Sequence, residues 1–227
     1  MAGDRAMSDV AARLAAVRAR IDAACARCGR DPASVALVAV SKTQGADAVR
    51  AAYDAGQRVF GENYVQELVE KARALEDLTE LRWHFIGHLQ RNKAKDVASV
   101  ARCVETVDSV RLVEAIAKRV DASTPLEVML QVNVGGEAQK SGCTPAELPA
   151  LIDAVRATPL VLRGLMTVPP LGQEPEASRP HFRALRELAQ QHGLRELSMG
   201  MSADLEVAIE EGATIVRVGT AIFGARA

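Results

Sequence analysis

The chain has 227 residues, of which 28 are basic and 29 acidic, so its formal net charge of −1 provides no overall field that would attract nucleic acid or an anionic membrane. Hydrophobic residues make up 48% of the chain and aromatic residues only 3%, which favours a core of Ala, Val, Leu and Ile such as helices on a parallel sheet provide. Because no linker rich in Ser, Gly or Pro divides the sequence, we expect one domain over residues 1–227 and a small-molecule partner.

The cysteines and histidines do not follow the spacing of a metal site. Cys25 and Cys28 have C-x-x-C spacing, but no second Cys or His pair lies near them, and the histidines lack H-E-x-x-H spacing. We therefore expect no metal, and reduced thiols in a cytoplasmic protein. The first stretch, MAGDRAMSDVAARLAAVRAR, contains no apolar run typical of a secretory signal or a membrane span.

The chain is predicted to open with an amphipathic helix over 9–27 and then to alternate strands with helices. The predicted strands are 35–40, 57–60, 82–86, 101–105, 126–132, 161–165, 195–198 and 214–218. The predicted helices between them are 46–55, 63–76, 91–98, 109–120, 145–157, 176–191 and 203–210. This alternation predicts parallel pairing, and eight units in a chain of this length favour a closed (β/α)₈ barrel over an open doubly wound sheet. No G-x-G-x-x-G follows the first strand, which weakens a dinucleotide-binding version of the open sheet.

Lys42 lies directly after the apolar run ALVAV, where the first strand should end. Binding residues of such barrels lie at the C-terminal ends of the strands. Partial burial there disfavours the charged ammonium and leaves a nucleophilic amine, which suggests Schiff-base formation with an aldehyde cofactor or with a sugar. The alternative is a lysine that only extends to solvent.

Two glycine turns, SMGMS (198–202) and VGTAIFG (218–224), follow the last two predicted strands. The loops after strands 7 and 8 are the usual phosphate site of this fold, and a helix beginning near Ala203 with Ser202 as its N-cap would add backbone N–H groups. The hydroxyls available there belong to Ser198, Ser202 and Thr220. We therefore predict a phosphate site on these turns, although ordinary turn glycines would give the same pattern.

Arg217 lies within the apolar strand TIVRV, where an unpaired guanidinium would be costly. Three features together indicate a pyridoxal 5'-phosphate site. They are a lysine that can bind an aldehyde, turns that can bind a phosphate, and a cationic donor between them. An arginine beside the pyridine nitrogen would leave that nitrogen unprotonated and the ring a weaker electron sink, so the cofactor could bind without strong catalysis.

Six blocks of the sequence, in order, resemble the pyridoxal phosphate homeostasis protein family from about residue 9 to the end of the chain. The blocks are VAVSKTQ, FGENYVQE, WHFIGHLQRNK, LQVNVGGEAQKSGC, LRGLMTVPP and LSMGMSADLEVAIEEGATIVRVGTAIFGAR. The resemblance implies a (β/α)₈ barrel like the N-terminal domain of alanine racemase, without the C-terminal β domain of that enzyme.

The same resemblance implies roles for individual residues. Lys42 matches the lysine that binds the cofactor covalently, and Arg217 matches the arginine that faces the pyridine nitrogen. The matches to the phosphate-binding turns are Ser198, Gly200, Gly219 and Thr220, and the matches to other cofactor-lining positions are Asn63, His84 and Met166. His88 departs from some relatives, which puts a role for it in doubt.

The resemblance implies a protein that binds, stores or delivers pyridoxal phosphate, with dependent apo-enzymes as candidate partners and little or no catalysis. We expect a monomer. An amino-acid racemase or related pyridoxal phosphate enzyme is the alternative, because the racemase uses the same barrel. A phosphosugar aldolase or isomerase is the third possibility. Lys140, within residues 135–143, is a candidate for a second cofactor molecule, against an ordinary exposed lysine.

Overall fold

The predicted apolar runs form parallel strands that close into a barrel in the computed structural model, which describes residues 2–120, 125–136, 141–170, 172 and 174–224, with side chains from Asp9 onward. The strands are β1 (Ala36–Val40), β2 (Val59–Glu62), β3 (Arg82–Phe85), β4 (Cys103–Val107), β5 (Glu127–Gln131), β6 (Val161–Met166), β7 (Glu196–Ser198) and β8 (Ile215–Val218). Each strand pairs with the next, and β8 pairs with β1, so the prediction of a closed barrel is confirmed.

Helices connect the strands and cover the outside of the barrel. They are α1 (Ala2–Arg27), α2 (Ala46–Asp54), α3 (Val65–Ala74), α4 (Ala94–Ala98), α5 (Val110–Ala117), α6 (Leu148–Arg156), α7 (Arg179–Gln191), α8 (Leu205–Glu210) and α9 (Thr220–Phe223). Short 3₁₀ turns lie at Pro32–Ser34, Arg91–Lys93 and Pro175–Ser178. No helix in these described ranges is both long and apolar enough to cross a membrane.

The strands bury both faces because side chains alternate between the barrel interior and the helices. Buried residues between strands and helices form the larger core, with Phe60 and Phe85 among its largest members. A smaller cluster fills the interior: Val38, Cys103, Met129, Met166 and Ile215. The interior is therefore a packed core below the rim, and the space for a ligand lies above it at the C-terminal ends of the strands.

Pairing between β1 and β8 closes the barrel and brings together parts of the chain that are far apart in sequence. The register aligns Ala36 with Ile215 and Ala39 with Val218. The segment that begins at Ser41 and the turn that begins at Gly219 consequently leave the barrel side by side.

Helix α1 begins at Ala2, earlier than the predicted start at residue 9. The first residues, AGDRAM, include good helix formers but no apolar periodicity, which was the signal behind the prediction. The apolar face of α1 is buried, and the helix packs on α8, α2 and α9. The buried residues of this face include Val10, Leu14, Val17 and Ile21.

Several predicted boundaries are wrong: the second strand, for example, is predicted at 57–60 and lies at Val59–Glu62. The fourth strand begins at Cys103 and not at residue 101, because the Ala101 N–H bonds to the Val97 carbonyl and closes the turn after α4. The N-cap residue of α8 is Asp204 and not Ser202. Asp204 accepts a hydrogen bond from the Met201 N–H at 2.7 Å, and this bond folds the preceding turn so that helix α8 starts only at Leu205.

Candidate functional site

A cavity of about 400 Å³ opens at the C-terminal ends of the strands, a volume typical of small-molecule sites. Residues that follow β1, β2, β3, β6, β7 and β8 contribute to its wall. The wall consists of Val40, Lys42, Gln44, Asn63, Ile86, Met166, Val168, Met201, Ser202, Ala203, Arg217, Gly219, Thr220, Phe223 and Gly224. The cavity therefore joins the predicted lysine to both predicted phosphate turns.

Lys42 occupies the side of the cavity formed by the first strand. It follows the fully buried Ser41 and is itself half-buried. Val40, Ile86 and Met166 line the same cavity with apolar groups. The amine thus belongs to a largely apolar wall and not to the open surface, as the position of Lys42 after ALVAV predicts.

Another part of the cavity wall consists of residues in the loops after β7 and β8. Gly219 lies against the end of β1, where a Cβ would lie 3.1 Å from the Val40 carbonyl oxygen, so a side chain there would push the two strands' ends apart. Thr220 follows as the first residue of α9 and lines the cavity. The close approach at Gly219 is what places this turn beside the segment that carries Lys42.

Gly200 allows the loop after β7 to turn, although it does not itself face the cavity. Its φ of +91° is unfavourable for any residue with a side chain, and a Cβ would lie only 2.5 Å from the Ala208 Cβ. Gly200 is not part of the cavity wall, but Met201, Ser202 and Ala203 after it are. Its role is therefore to let the loop turn so that these three residues reach the cavity.

Arg217 is a buried cation at the floor of the cavity. One guanidinium nitrogen donates to the Thr167 carbonyl oxygen at 2.9 Å, and another donates to the Ser198 hydroxyl. Burial lowers the pKa of Arg217, while the carboxylates of Glu105 and Asp204 oppose that shift. Since a guanidinium keeps its proton in proteins, Arg217 supplies a fixed positive charge to the cavity.

Glu105, in the middle of β4, is the counter-charge of Arg217. Its two oxygens accept from the Ser198 hydroxyl at 2.5 Å and lie 2.6 Å from Nδ1 of His84, with Arg217 3.9 Å away. Burial opposes its ionisation, but the hydrogen bond and charge of His84 and the charge of Arg217 hold the pKa of Glu105 below its usual value. An ionised Glu105 only accepts, so Nδ1 of His84 carries the proton and donates.

Sequence comparisons agree with this geometry. Residues 12–227 match the family model described as alanine racemase, N-terminal domain. The chain is 52% identical over 224 residues to the pyridoxal phosphate homeostasis protein of Pseudomonas aeruginosa, and the match covers 97% of both chains. The chain belongs to the pyridoxal phosphate homeostasis protein family.

Solved structures place this family member among barrels of the same kind. It is 39% identical to PipY of Synechococcus elongatus, whose structure has pyridoxal phosphate bound, with a TM-score of 0.79 and coverage of 95% of this chain and all of PipY (100%). Alanine racemase of Corynebacterium glutamicum shares the fold at 18% identity and a TM-score of 0.69, and the match covers 96% of this chain and 61% of the enzyme.

The structure gathers most of the site residues predicted for this family member into one wall. The predicted residues that line the cavity are Lys42, Asn63, Met166, Ser202, Arg217, Gly219 and Thr220. His84, Ser198 and Gly200 lie outside the wall: the first two bond to Glu105 beneath it, and Gly200 shapes a loop. His88 lines a different cavity with Arg91 and Arg111. Lys140 lies outside the described residues.

Glu105, which pairs with both His84 and Arg217, was not predicted from the sequence. A signal was present, because a carboxylate inside the apolar run CVETV needs a buried partner. Several residues that line the cavity but carry no distinctive chemistry, such as Gln44 and Phe223, were also not predicted from the sequence. Within the described ranges no group of three His, Cys, Asp or Glu side chains is placed to hold a metal ion.

Proposed function

We propose that this chain binds pyridoxal 5'-phosphate in the cavity at the C-terminal rim and holds it for release to enzymes that depend on it, with little or no turnover of its own. The observation that carries the proposal is that Lys42, the two glycine turns and Arg217 share one cavity. The names of the curated relatives and the pyridoxal phosphate bound to PipY support it.

The residues present fit this cofactor at each of its polar ends. Lys42 would bind the aldehyde, and Ser202, Gly219 and Thr220 would bind the phosphate. Asn63 adds an independent sign of a missing ligand, because its buried Oδ1 has no hydrogen-bond partner among the described residues. A buried acceptor without a donor costs free energy, and a donor on a bound group would remove that cost.

The chemistry of the cavity favours holding the cofactor over using it. When bound, pyridoxal phosphate supplies an aldehyde that a lysine amine can attack and a ring that can accept electrons. Arg217 would donate a hydrogen bond to the ring nitrogen without giving up a proton, because a guanidinium is far less acidic than a pyridinium. The ring would therefore stay a weak electron sink.

The ionisable side chains of the cavity wall also favour holding the cofactor over using it. Of the wall residues that the structure describes, Lys42 and Arg217 are those with ionisable side chains. Racemisation needs one group to remove a proton and another, on the other face, to return it. Arg217 is a poor acid and base, so Lys42 is the one described wall residue suited to proton transfer.

Borohydride trapping tests the proposal. The protein mixed with pyridoxal phosphate and reduced should carry one pyridoxyl group on the peptide that contains Lys42, and Lys42→Ala should lose both that mass and the visible absorption band of the mixture. Lys118→Ala, which removes an exposed lysine outside the cavity wall, is the matched control for handling and folding.

The outcomes separate the alternatives. A visible band that persists in Lys42→Ala would overturn the assignment of the lysine. Trapping of a sugar phosphate in preference to pyridoxal phosphate would favour an aldolase, and steady racemisation of alanine or serine above the Lys42→Ala level would favour a racemase. Delivery is measured separately: loaded protein should restore the activity of a pyridoxal phosphate enzyme from which the cofactor has been removed.

A further inference from the structure

The turn that carries Lys42 contains an unfavourable backbone conformation. Thr43 has a φ of +64°, and among the described residues it is the one non-glycine residue with a positive φ. For a β-branched residue this region is rarely occupied, and the cost corresponds to about a tenfold loss in population. Such a conformation persists only where other contacts hold it.

Helix α3 supplies those contacts on both sides of Lys42. The Thr43 N–H donates to the Glu67 carboxylate at 2.8 Å. On the other side, the Lys71 ammonium donates to the Ser41 carbonyl oxygen at 2.7 Å. The residues before and after Lys42 are therefore each bonded to a charged side chain of the same helix.

A third charged side chain, Glu62 at the end of β2, completes the arrangement. One of its oxygens accepts from the Ser41 hydroxyl at 2.6 Å and from Lys71 at 2.7 Å, and Lys71 also donates to Glu67 at 2.9 Å. We call Glu62, Glu67 and Lys71 the anchoring triad. Glu62 and Lys71 are buried, whereas the Glu67 side chain is 28% exposed.

Charge and burial favour a fixed arrangement. Burial raises the pKa of Glu62 above its usual value, against the hydrogen bonds from Lys71 and Ser41 that oppose this shift. Partial burial also opposes the ionisation of Glu67, but the hydrogen bonds from Lys71 and from the Thr43 N–H hold its pKa below its usual value. The carboxylate that bonds to Thr43 is thus the more firmly ionised of the two.

No member of the anchoring triad is among the residues that line the cavity. We propose that the triad consists of positioning residues, which hold the backbone on both sides of Lys42 so that its amine stays in the cavity wall ready for an aldehyde. This inference rests on the proposed function. It assigns to charged side chains outside the cavity the role of keeping a strained turn in its binding conformation.

The size of the effect follows from the strain. If Glu67 no longer bonds to Thr43, the turn can leave the left-handed region, and about a tenth of the molecules keep the binding conformation. Apparent affinity falls in proportion to that fraction. Glu67→Ala should therefore need about tenfold more pyridoxal phosphate for half-maximal pyridoxyl labelling of Lys42.

The experiment compares Glu67→Ala with Glu67→Gln and Glu70→Ala. Glutamine keeps an acceptor for the Thr43 N–H, and Glu70 is an exposed carboxylate on the same helix that accepts a hydrogen bond from the Gln66 side chain. Without cofactor, hydrogen exchange at Thr43 should be about tenfold faster in Glu67→Ala, and near wild type in the other two. Labelling of Lys42, compared at a temperature at which all variants are folded, should follow the same order.

The two proposals fail in different ways. If the wild-type protein is not labelled on Lys42, the proposed function is wrong. If the wild type is labelled and Glu67→Ala is labelled at the same concentration, or if Glu67→Gln loses labelling as Glu67→Ala does, the positioning role is wrong. An equal fall in labelling in Glu70→Ala would also overturn it, because the effect would then not depend on the bond between Glu67 and Thr43.

Discussion

Ser198 illustrates how burial decides what a single residue can do. Its hydroxyl donates to Glu105 and accepts from Arg217, and the side chain is fully buried below the cavity wall. A hydroxyl with both roles filled in this way holds Arg217 in place and is not directed at a phosphate. Ser202, in the same motif, lines the cavity and keeps the ligand role that we propose for it.

This difference predicts opposite results for two similar substitutions. Ser198→Ala should lower the free energy of unfolding by about 1–3 kcal/mol, because it removes a donor from Glu105 and an acceptor from Arg217 in a buried site. Ser202→Ala should leave the free energy of unfolding nearly unchanged and weaken the binding of pyridoxal phosphate. Urea unfolding and borohydride labelling of both variants measure this, and equal stability of the two would contradict the role of Ser198.

At the scale of elements, the site depends on two loops that approach neighbouring backbone closely. The loop after β7 turns at Gly200 against Ala208 of α8, and the loop after β8 begins at Gly219 against Val40 of β1. The residues that face the cavity are therefore placed by glycines that pack against other elements.

Gly200→Ala should destabilise the protein by more than the strain of its φ alone, because the added Cβ would lie 2.5 Å from the Ala208 Cβ. The matched control is Gly193→Ala, where φ is +68° and no atom lies within 4 Å of the added Cβ. We expect about 1–2 kcal/mol for the control and several kcal/mol for Gly200→Ala. Urea unfolding of both variants tests this, and equal losses would show that the contact with α8 does not matter.

The elements were largely predictable because each strand is a short apolar run that ends in polar or glycine residues. The boundaries of β4 and α8 were not, because they depend on the bonds of Ala101 and Asp204 to neighbouring turns. In the site, Lys42 was predictable from its place after an apolar run. The pairing of Glu62 with Lys71 was not, since it joins a strand end to a helix through side chains that no local pattern links.

At the scale of the whole molecule, acidic residues of α8 connect the first helix to the seventh. Arg20 and Arg27 of α1 pair with Glu206 and Glu210. Glu211, which directly follows α8, is buried and forms ion pairs with arginines of α7. Those arginines are Arg179, Arg183 and Arg186.

These carboxylates predict a loss of stability in acid. Burial opposes the ionisation of Glu206 and Glu211, but hydrogen bonds from arginines outweigh this effect. For Glu210, a hydrogen bond from Arg179 is the main cause of the pKa shift. The pKa values of all three carboxyl groups therefore lie below the usual 4.5. The unfolded chain then binds protons more readily than the folded protein. The stabilisation is complete above pH 4.5 and is lost as the pH falls through the folded values.

Urea unfolding at about pH 7 and at successively lower values down to about pH 3 measures this loss. Glu211→Gln should reduce the dependence of the unfolding free energy on pH, because one shifted carboxyl is gone. The exposed Glu80, which pairs with Arg58, provides the control Glu80→Gln. Glu62, whose pKa is raised, has the opposite effect on the pH dependence. Its contribution to the free energy of unfolding is present in acid and is lost as the pH rises. An identical pH dependence in wild type and Glu211→Gln would contradict this account.

The alignment of β1 with β8 also has a consequence for how the protein is made. A growing chain that leaves the ribosome exposes Lys42 early, but Arg217 comes from the last strand, and the residues that would receive the phosphate come from the loops after β7 and β8. Contacts between such distant segments form late, because a long loop must close first. The proposed binding of pyridoxal phosphate at Lys42 would therefore begin only after the segment that follows β8 has been synthesised.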